Sequence, residues 1–187
     1  MKKLAQSSSN TETDRCFSIG MVLLPEFNSL AANAFIDPFR VANYLHGKSI
    51  YEWHFLSLDG QSVTASNAME YANTSSFVKT SSHFDFIVIN ASWAPEKFCE
   101  RNFVNALKHQ EKQSATLIAL DTGAFVMAYA GLLEGYRCSV HYEHIAAFKE
   151  LFPSLEVKQS LFVVDRNRLS CSGGVAVVDM ALEIIHL

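Results

Sequence analysis

Neither a long apolar run nor an excess of positive charge occurs in this sequence. No stretch is long enough to cross a bilayer, and the first residues lack the apolar core of a signal peptide. Lysine and arginine together number 15 against 19 acidic residues, which gives a formal net charge of −4. The chain therefore has no basic footprint for binding nucleic acid by itself. It is expected to have no membrane partner and to reach DNA only through another segment.

Cysteine is also sparse. The four cysteines are Cys16, Cys99, Cys138 and Cys171. They are widely scattered and form no C-x-x-C pair, which argues against a zinc site and against a dense disulfide framework. The spacing favours a reducing, cytoplasmic location and predicts neither a metal nor another cofactor.

The chain is long enough for one domain with a substantial core. It has 187 residues, of which 49% are hydrophobic and 18% charged. Residues 1–15 are polar and rich in serine, which predicts a disordered leader. Residues 16–187 are expected to form the single domain.

Apolar runs alternate with segments of helical periodicity along that domain. Buried strands are predicted at 17–24, 51–58, 84–90 and 117–120, and helices at 30–45, 96–111, 141–152 and from 175 to the end. Pro38 predicts a kink or a late start in the first helix. The turn Asp59-Gly60 predicts a hairpin-like second strand at 62–65. Alternating strands and helices predict an α/β fold with a mostly parallel sheet covered on both faces.

The segment 117–133 organises the rest of the chain. An apolar strand leads into a sharp turn at Asp121, Thr122 and Gly123, and the apolar residues that follow have helical spacing to about Leu133. Such a turn lies at the carboxyl edge of an α/β sheet, where ligands bind. Asp121 at this bend could pair with a cationic ligand. It could equally be the N-cap of the next helix, because aspartate is favoured there.

Other residues could contribute to a site at this edge. His141 opens the helix predicted at 141–152 and could act on a bound group, although a histidine in that position is more often structural. Trp93 follows a strand end and could offer a ring face to a cation. The pair Gly173-Gly174 could cradle an anionic group with backbone N–H donors, although close packing also explains two glycines. No cysteine lies at the bend.

In order, these motifs resemble those of one family. They are LLPEF at 23–27, DPFRVAN at 37–43, SLDG at 57–60, DTGAF at 121–125, AGLLEG at 130–135, HYE at 141–143, FP at 152–153 and SGGVAVVD at 172–179. Their succession resembles the amino-terminal DJ-1/PfpI, class I glutamine amidotransferase-like, domain of AraC-family transcriptional regulators. The resemblance covers nearly everything after the leader. It implies a flavodoxin-like three-layer sandwich, usually dimeric, and a carboxyl-terminal helix-turn-helix domain that is absent here, consistent with the end of this sequence inside an apolar helix.

The resemblance also identifies a departure from the enzymes of the wider superfamily. Those enzymes carry a cysteine at the bend, a histidine at the position of His141, and often a glutamate after the first strand, near Ala31 or Glu26 here. Asp121 occupies the cysteine position, and its carboxylate cannot replace a thiolate nucleophile. The resemblance therefore implies a domain without enzyme activity.

What remains is a pocket with a negative group at its floor. The DTGAF version resembles the subgroup that responds to arginine, carnitine, glycine betaine and related amines. The implied ligand-binding residues are Asp121, Thr122, His141, Trp93, Tyr142, Gly173 and Gly174. Two alternatives stay open at this point: a hydrolase or glyoxalase-like enzyme that uses Asp121 with His141, and a dimerisation module with a collapsed pocket.

Overall fold

A computed structural model describes residues 15–72 and 74–186 of the protein. Apart from Arg15, the predicted leader lies outside these residues. Arg15 donates a hydrogen bond to Asp85. The strands are β1 (Phe17–Leu23), β2 (Tyr51–Ser57), β3 (Val63–Thr64), β4 (Glu70–Tyr71), β5 (Ser75–Ser76), β6 (Phe86–Ala91), β7 (Thr116–Asp121), β8 (Arg137–Cys138), β9 (Glu156–Val157), β10 (Phe162–Asp165) and β11 (Arg168–Cys171). The α-helices are α1 (Ser29–His46), α2 (Arg101–Lys112), α3 (Gly123–Tyr129), α4 (Ile145–Leu151) and α5 (Ala176–His186).

The described part of the chain builds one seven-stranded sheet in the order β10-β11-β7-β6-β1-β2-β5. All neighbouring strands in it are parallel except β10 and β11. Two short two-stranded ladders, β3-β4 and β8-β9, lie outside it. The predicted mostly parallel sheet is confirmed.

Helices cover both faces of the sheet. One buried cluster lies between the sheet and helices α1 and α5, and the other lies against α2, α3 and α4. Strands buried on both faces explain the near-continuous apolar runs in the sequence. The predicted flavodoxin-like three-layer arrangement is also confirmed.

Helix α1 has well-defined ends. The side chain of Asn28 accepts a hydrogen bond from the N–H of Ala31 at the first turn, and Gly47 ends the helix with φ 74°. Pro38 lies inside the helix, so the predicted late start is wrong. Phe35 and Phe39 are fully buried beneath it, and this burial stabilises the helix across the position where proline removes an N–H donor.

Three other predictions need correction. The strand near 62–65 does not return along β2, because β3 pairs with β4 and the edge partner of β2 is β5, in parallel. The helix after the bend ends at Tyr129 rather than near Leu133, because Gly131 has φ 69° and turns the chain out of the helix. The segment 141–152 is helical only from 142 to 151, and its first turn is a 3-10 helix.

Among the helices of the described residues, none combines the length and apolar character needed to cross a membrane.

Candidate ligand-binding site

The bend between β7 and α3 is fixed by its backbone. Asp121 has φ 59°, in the left-handed region that a non-glycine residue seldom adopts. Directly after it, α3 begins so close to β6 that a Cβ placed on Gly123 would lie 2.3 Å from the carbonyl oxygen of Ile89. The glycine is therefore required by the approach of two backbones, and the bend presents Asp121 in one conformation.

The carboxylate of Asp121 lies in a nearly closed environment. Its residue is 7% exposed, and its Oδ2 accepts a hydrogen bond of 3.0 Å from Nδ2 of Asn28. Burial raises the pKa of Asp121, and the Asn28 hydrogen bond and the nearby His141 and His144 oppose that rise. A Cβ placed on Gly173 would lie 3.1 Å from the Cβ of Asp121, so the loop after β11 closes over it.

The N-cap alternative for Asp121 does not match this geometry. The N-cap position of α3 is Thr122, whose side chain makes no capping hydrogen bond. Instead, Oγ1 of Thr122 donates to the carbonyl oxygen of Ser92 at 2.7 Å, which ties the bend to the loop after β6. The described hydrogen bond to the Asp121 carboxylate comes from Asn28.

Two asparagines that the sequence analysis missed complete the floor of this site. Asn28 uses its side chain twice, because Oδ1 accepts from the N–H of Ala31 while Nδ2 donates to Asp121. Asn90, fully buried at the end of β6, donates from Nδ2 to the carbonyl oxygen of Asn28 at 2.9 Å. Oδ1 of Asn90 has no hydrogen-bond partner among the described residues. A buried acceptor without a donor is costly unless a bound group supplies one.

Asn28 also corrects the position expected for the superfamily glutamate. Ala31 is buried inside α1, and Glu26 is exposed. The side chain from the β1 loop that reaches the bend is therefore an amide. It donates to the carboxylate, which a glutamate could do only when protonated.

His141 lies close enough to Asp121 to lower its pKa electrostatically. Its Nδ1 is buried without a hydrogen-bond partner among the described residues and lies 3.8 Å from a carboxylate oxygen of Glu143. The imidazole contacts the ring of Tyr142 with 4.5 Å between centroids. The described hydrogen bonds do not join His141 to Asp121, and Tyr142 itself is 70% exposed.

An adjacent cavity of about 430 Å³ opens beside the bend. Its lining includes Thr122 and Trp93, together with Glu96, Tyr129 and His144, and does not include Asp121. The predicted residues thus fall into two groups. Asp121, His141 and Gly173 lie together at the bend, whereas Thr122 and Trp93 border the cavity next to it. A Cβ on Gly174 would meet nothing within 4 Å, so close packing does not require that glycine.

The described residues contain no group of three side chains suited to a metal ion. Burial raises the pKa of the Cys138 thiol to about 12. The pKa values of Cys99 and Cys171 are raised to about 11, and burial is the largest cause in both. Thiols with such pKa values stay protonated at neutral pH and are poor nucleophiles.

No family model matches the chain. Among curated proteins, it is 38% identical over 168 residues to the HTH-type transcriptional regulator GbdR of Pseudomonas aeruginosa, covering 90% of this chain and 46% of GbdR. It is 37% identical over 164 residues to the HTH-type transcriptional regulator CdhR of the same organism, covering 88% of this chain and 48% of CdhR. The chain thus spans about half the length of these curated relatives.

Solved structures show the same fold. An AraC family transcriptional regulator from Pseudomonas putida superposes with a TM-score of 0.79 at 24% identity, over 91% of each chain. Drosophila melanogaster DJ-1beta superposes with a TM-score of 0.76 at 18% identity, over 90% of this chain and 88% of that one. In sequence the chain is similar to these HTH-type transcriptional regulators over about half of their length, and its fold is that of the AraC family regulator and of DJ-1beta.

Proposed function

We propose that this chain is the effector-binding and dimerisation domain of a cytoplasmic transcriptional regulator. The effector is a small amino-acid-like or quaternary amine metabolite that binds at the bend of Asp121. DNA contacts belong to a helix-turn-helix domain beyond this sequence. Binding shifts the arrangement of a homodimer and so the position of its DNA-binding domains.

One observation carries the proposal. At the bend, the buried carboxylate of Asp121 stands where enzymes of the superfamily carry a cysteine thiol. Its described hydrogen bond comes from the neutral amide of Asn28. A carboxylate in this setting retains acceptor capacity and attracts a positively charged group from outside the protein. The unpartnered Oδ1 of Asn90 adds a second buried acceptor in the same chain of hydrogen bonds.

The same residues argue against an enzyme. Covalent catalysis at this bend needs a nucleophile with an adjacent base, and no described hydrogen bond connects Asp121 to His141. The aromatic rings of the neighbouring cavity, from Trp93 and Tyr129, suit the alkyl or cationic part of a ligand. The arrangement supports recognition better than bond cleavage.

Titration calorimetry with arginine, carnitine, glycine betaine and dimethylglycine tests this proposal. At least one of them is expected to bind, and Asp121→Asn should weaken that binding by about 10-fold to 100-fold, because a charge-assisted contact is lost while the volume is kept. Asp37→Asn, which changes an exposed aspartate on α1, is the matched control and should bind as the original protein does. Equal heats for Asp121→Asn and the original protein would contradict the role of Asp121. Steady turnover of an amide, ester or 2-oxoaldehyde that is lost in His141→Ala would favour the enzyme instead.

Asp121→Asn is also expected to change how stability depends on pH. Because the folded protein raises the pKa of Asp121, the stability linked to its protonated form is complete below the unfolded value and is lost as pH rises through the folded value. Asparagine does not ionise, and it tolerates the φ of 59° at this position. Thermal unfolding should therefore show a higher Tm for Asp121→Asn than for the original protein at pH 7, with the gap closing towards about pH 4. A Tm difference that stays constant over this range would show that ionisation of Asp121 does not destabilise the folded protein.

A further inference from the structure

A second cavity, of about 390 Å³, lies at the same edge of the sheet but away from Asp121. Leu23 at the end of β1 and Ser57 at the end of β2 form part of its lining. The segment after β6 supplies another part, from Lys97, Phe98, Glu100, Asn102 and Phe103. The chain goes from β1 to β2 on one side and later places β6 on the other side of β1. Parallel α/β sheets bind ligands where the strand order reverses in this way.

One rim of this cavity is held by a network of hydroxyl groups. Oγ of Ser57 accepts from the N–H of Gly60 at 2.9 Å and shares a hydrogen bond with Oγ1 of Thr74 at 2.9 Å. Oγ of Ser76 donates to the carbonyl oxygen of Leu58 at 3.0 Å, and Thr74 also donates to the carbonyl oxygen of Gln61. The rim is therefore fixed before any ligand arrives, which lowers the entropic cost of binding.

Gly60 makes that rim possible. Its φ is 90°, and a Cβ there would lie 3.0 Å from the backbone nitrogen of Ser76. The rim thus turns sharply against β5. The chain continues from this rim into the β3-β4 ladder.

The walls of the cavity are largely apolar. They come from Leu58, Val63, Val78, Phe98 and Phe103. Phe103 and Val63 are buried, and Leu58, Val78 and Phe98 are half-buried, so a ligand with an apolar body would gain by covering them.

The charged groups that line the cavity are balanced in sign. Two are cations, Lys79 and Lys97, and two are anions, Asp59 and Glu100. Within the described ranges, no acidic side chain pairs with either lysine. Asp59 already accepts from the N–H of Gln61 at 2.9 Å, whereas the side chain of Glu100 does not cap α2. Lys79, Lys97 and Glu100 are exposed residues of the lining, and among the described residues no ion pair joins them.

We propose that this cavity is a second binding site, which takes the zwitterion of an α-amino acid with an apolar side chain. The lysines hold the carboxylate of the ligand, Glu100 holds its ammonium group, and the apolar walls cover its side chain. A ligand with only a negative charge would be repelled by Glu100, and a ligand with only a positive charge would be repelled by the two lysines. The site is separate from the one proposed at Asp121 and does not depend on it.

Calorimetry with L-leucine, and with two analogues that each lack one charge, tests the proposal. The analogues are 4-methylpentanoate, which has no ammonium group, and 3-methylbutylamine, which has no carboxylate. L-Leucine is expected to bind, and each analogue is expected to bind about 10-fold more weakly or not at all, since each leaves one charged group of the rim unmatched.

Five variants locate the site. Lys97→Met and Glu100→Gln should each weaken L-leucine binding by about 10-fold, because each removes one charge while keeping most of the side-chain bulk. Lys112→Met on α2 and Glu183→Gln on α5 change exposed residues elsewhere and should leave the affinity unchanged. Asp121→Asn should also leave it unchanged, which separates this site from the amine site.

Several results would overturn the proposal. These are negligible heat with L-leucine, equal affinity for L-leucine and 4-methylpentanoate, and equal affinity of Lys97→Met and the original protein. Binding of L-leucine that disappears in Asp121→Asn and persists in Glu100→Gln would assign the ligand to the first site and would support the proposed amine sensor alone.

Discussion

Gly123→Ala is expected to destabilise the fold by about 3 kcal/mol, because the added methyl group would overlap the backbone of β6. Its Cβ would lie 2.3 Å from the carbonyl oxygen of Ile89, an atom held in the central sheet. Alanine favours a helix by about 1 kcal/mol relative to glycine, so propensity alone predicts the opposite sign. The steric term is larger, since Ile89 lies in β6, which pairs with β1 and β7 and cannot move without breaking sheet hydrogen bonds. Urea unfolding measures the difference.

Gly131→Ala is the matched control for this change. Gly131 follows the same helix, and a Cβ there would meet nothing within 4 Å, but its φ is 69°. The expected cost is about 1–2 kcal/mol, from the left-handed backbone alone. If Gly123→Ala lowers the free energy of unfolding less than Gly131→Ala does, the backbones of α3 and β6 lie farther apart than in this structure. The bend would then no longer be constrained to present Asp121 in one conformation.

Periodicity and apolar runs predicted the long elements well, and the reason is physical. Strands of a covered parallel sheet are buried on both faces, so β1, β6 and β7 are visible as near-continuous apolar runs. Long amphipathic helices such as α2 are visible through the helical spacing of their apolar residues. The two-residue strands β3 and β5 show almost no such pattern. The pairing of β5 with β2 lies beside the hydrogen bond between Ser57 and Thr74, which are 17 positions apart in the sequence.

The candidate site was predictable only in part. Asp121 could be selected because a polar residue directly follows an apolar strand at a turn. Asn28 and Asn90 could not, because each has an ordinary local explanation as a helix cap or a strand end. Asn28 meets Asp121, and Asn90 meets Asn28, only because the sheet places β7, β6 and β1 side by side. Contacts of this kind between distant segments cannot be inferred from the local spacing of residue types.

The edge of the sheet opposite the binding sites contains a buried cation. The side chain of Arg168 is 3% exposed, with Nε donating to the carbonyl oxygen of Leu132 at 2.8 Å and Nη2 to Oε1 of Glu111 at 2.9 Å. Nη1 donates to the carbonyl oxygen of Asn167, and the guanidinium lies 4.7 Å from the ring centroid of Tyr136. This one side chain joins β11, α2 and the segment that leads away from α3.

Arg168→Met is expected to destabilise the protein by about 2–4 kcal/mol, because it leaves buried acceptors without donors. The value lies below that for a fully buried pair, since Glu111 is 32% exposed and can be hydrated. The free energy of unfolding of Arg168→Lys should lie between those of the original protein and Arg168→Met, because lysine keeps the charge but cannot form three hydrogen bonds in a plane. Urea unfolding at neutral pH compares all three proteins.

Arg166→Met supplies the control, because Arg166 also stacks on Tyr136 but has a side chain 58% exposed. Its expected cost is under about 1 kcal/mol. The double variant Arg168→Met with Glu111→Gln should recover part of the loss, since the unpaired carboxylate is then removed. If the double variant is no more stable than Arg168→Met, the loss comes from the Leu132 and Asn167 carbonyl groups. Arg168 would then stabilise the loop after α3 mainly through backbone hydrogen bonds rather than through its charge.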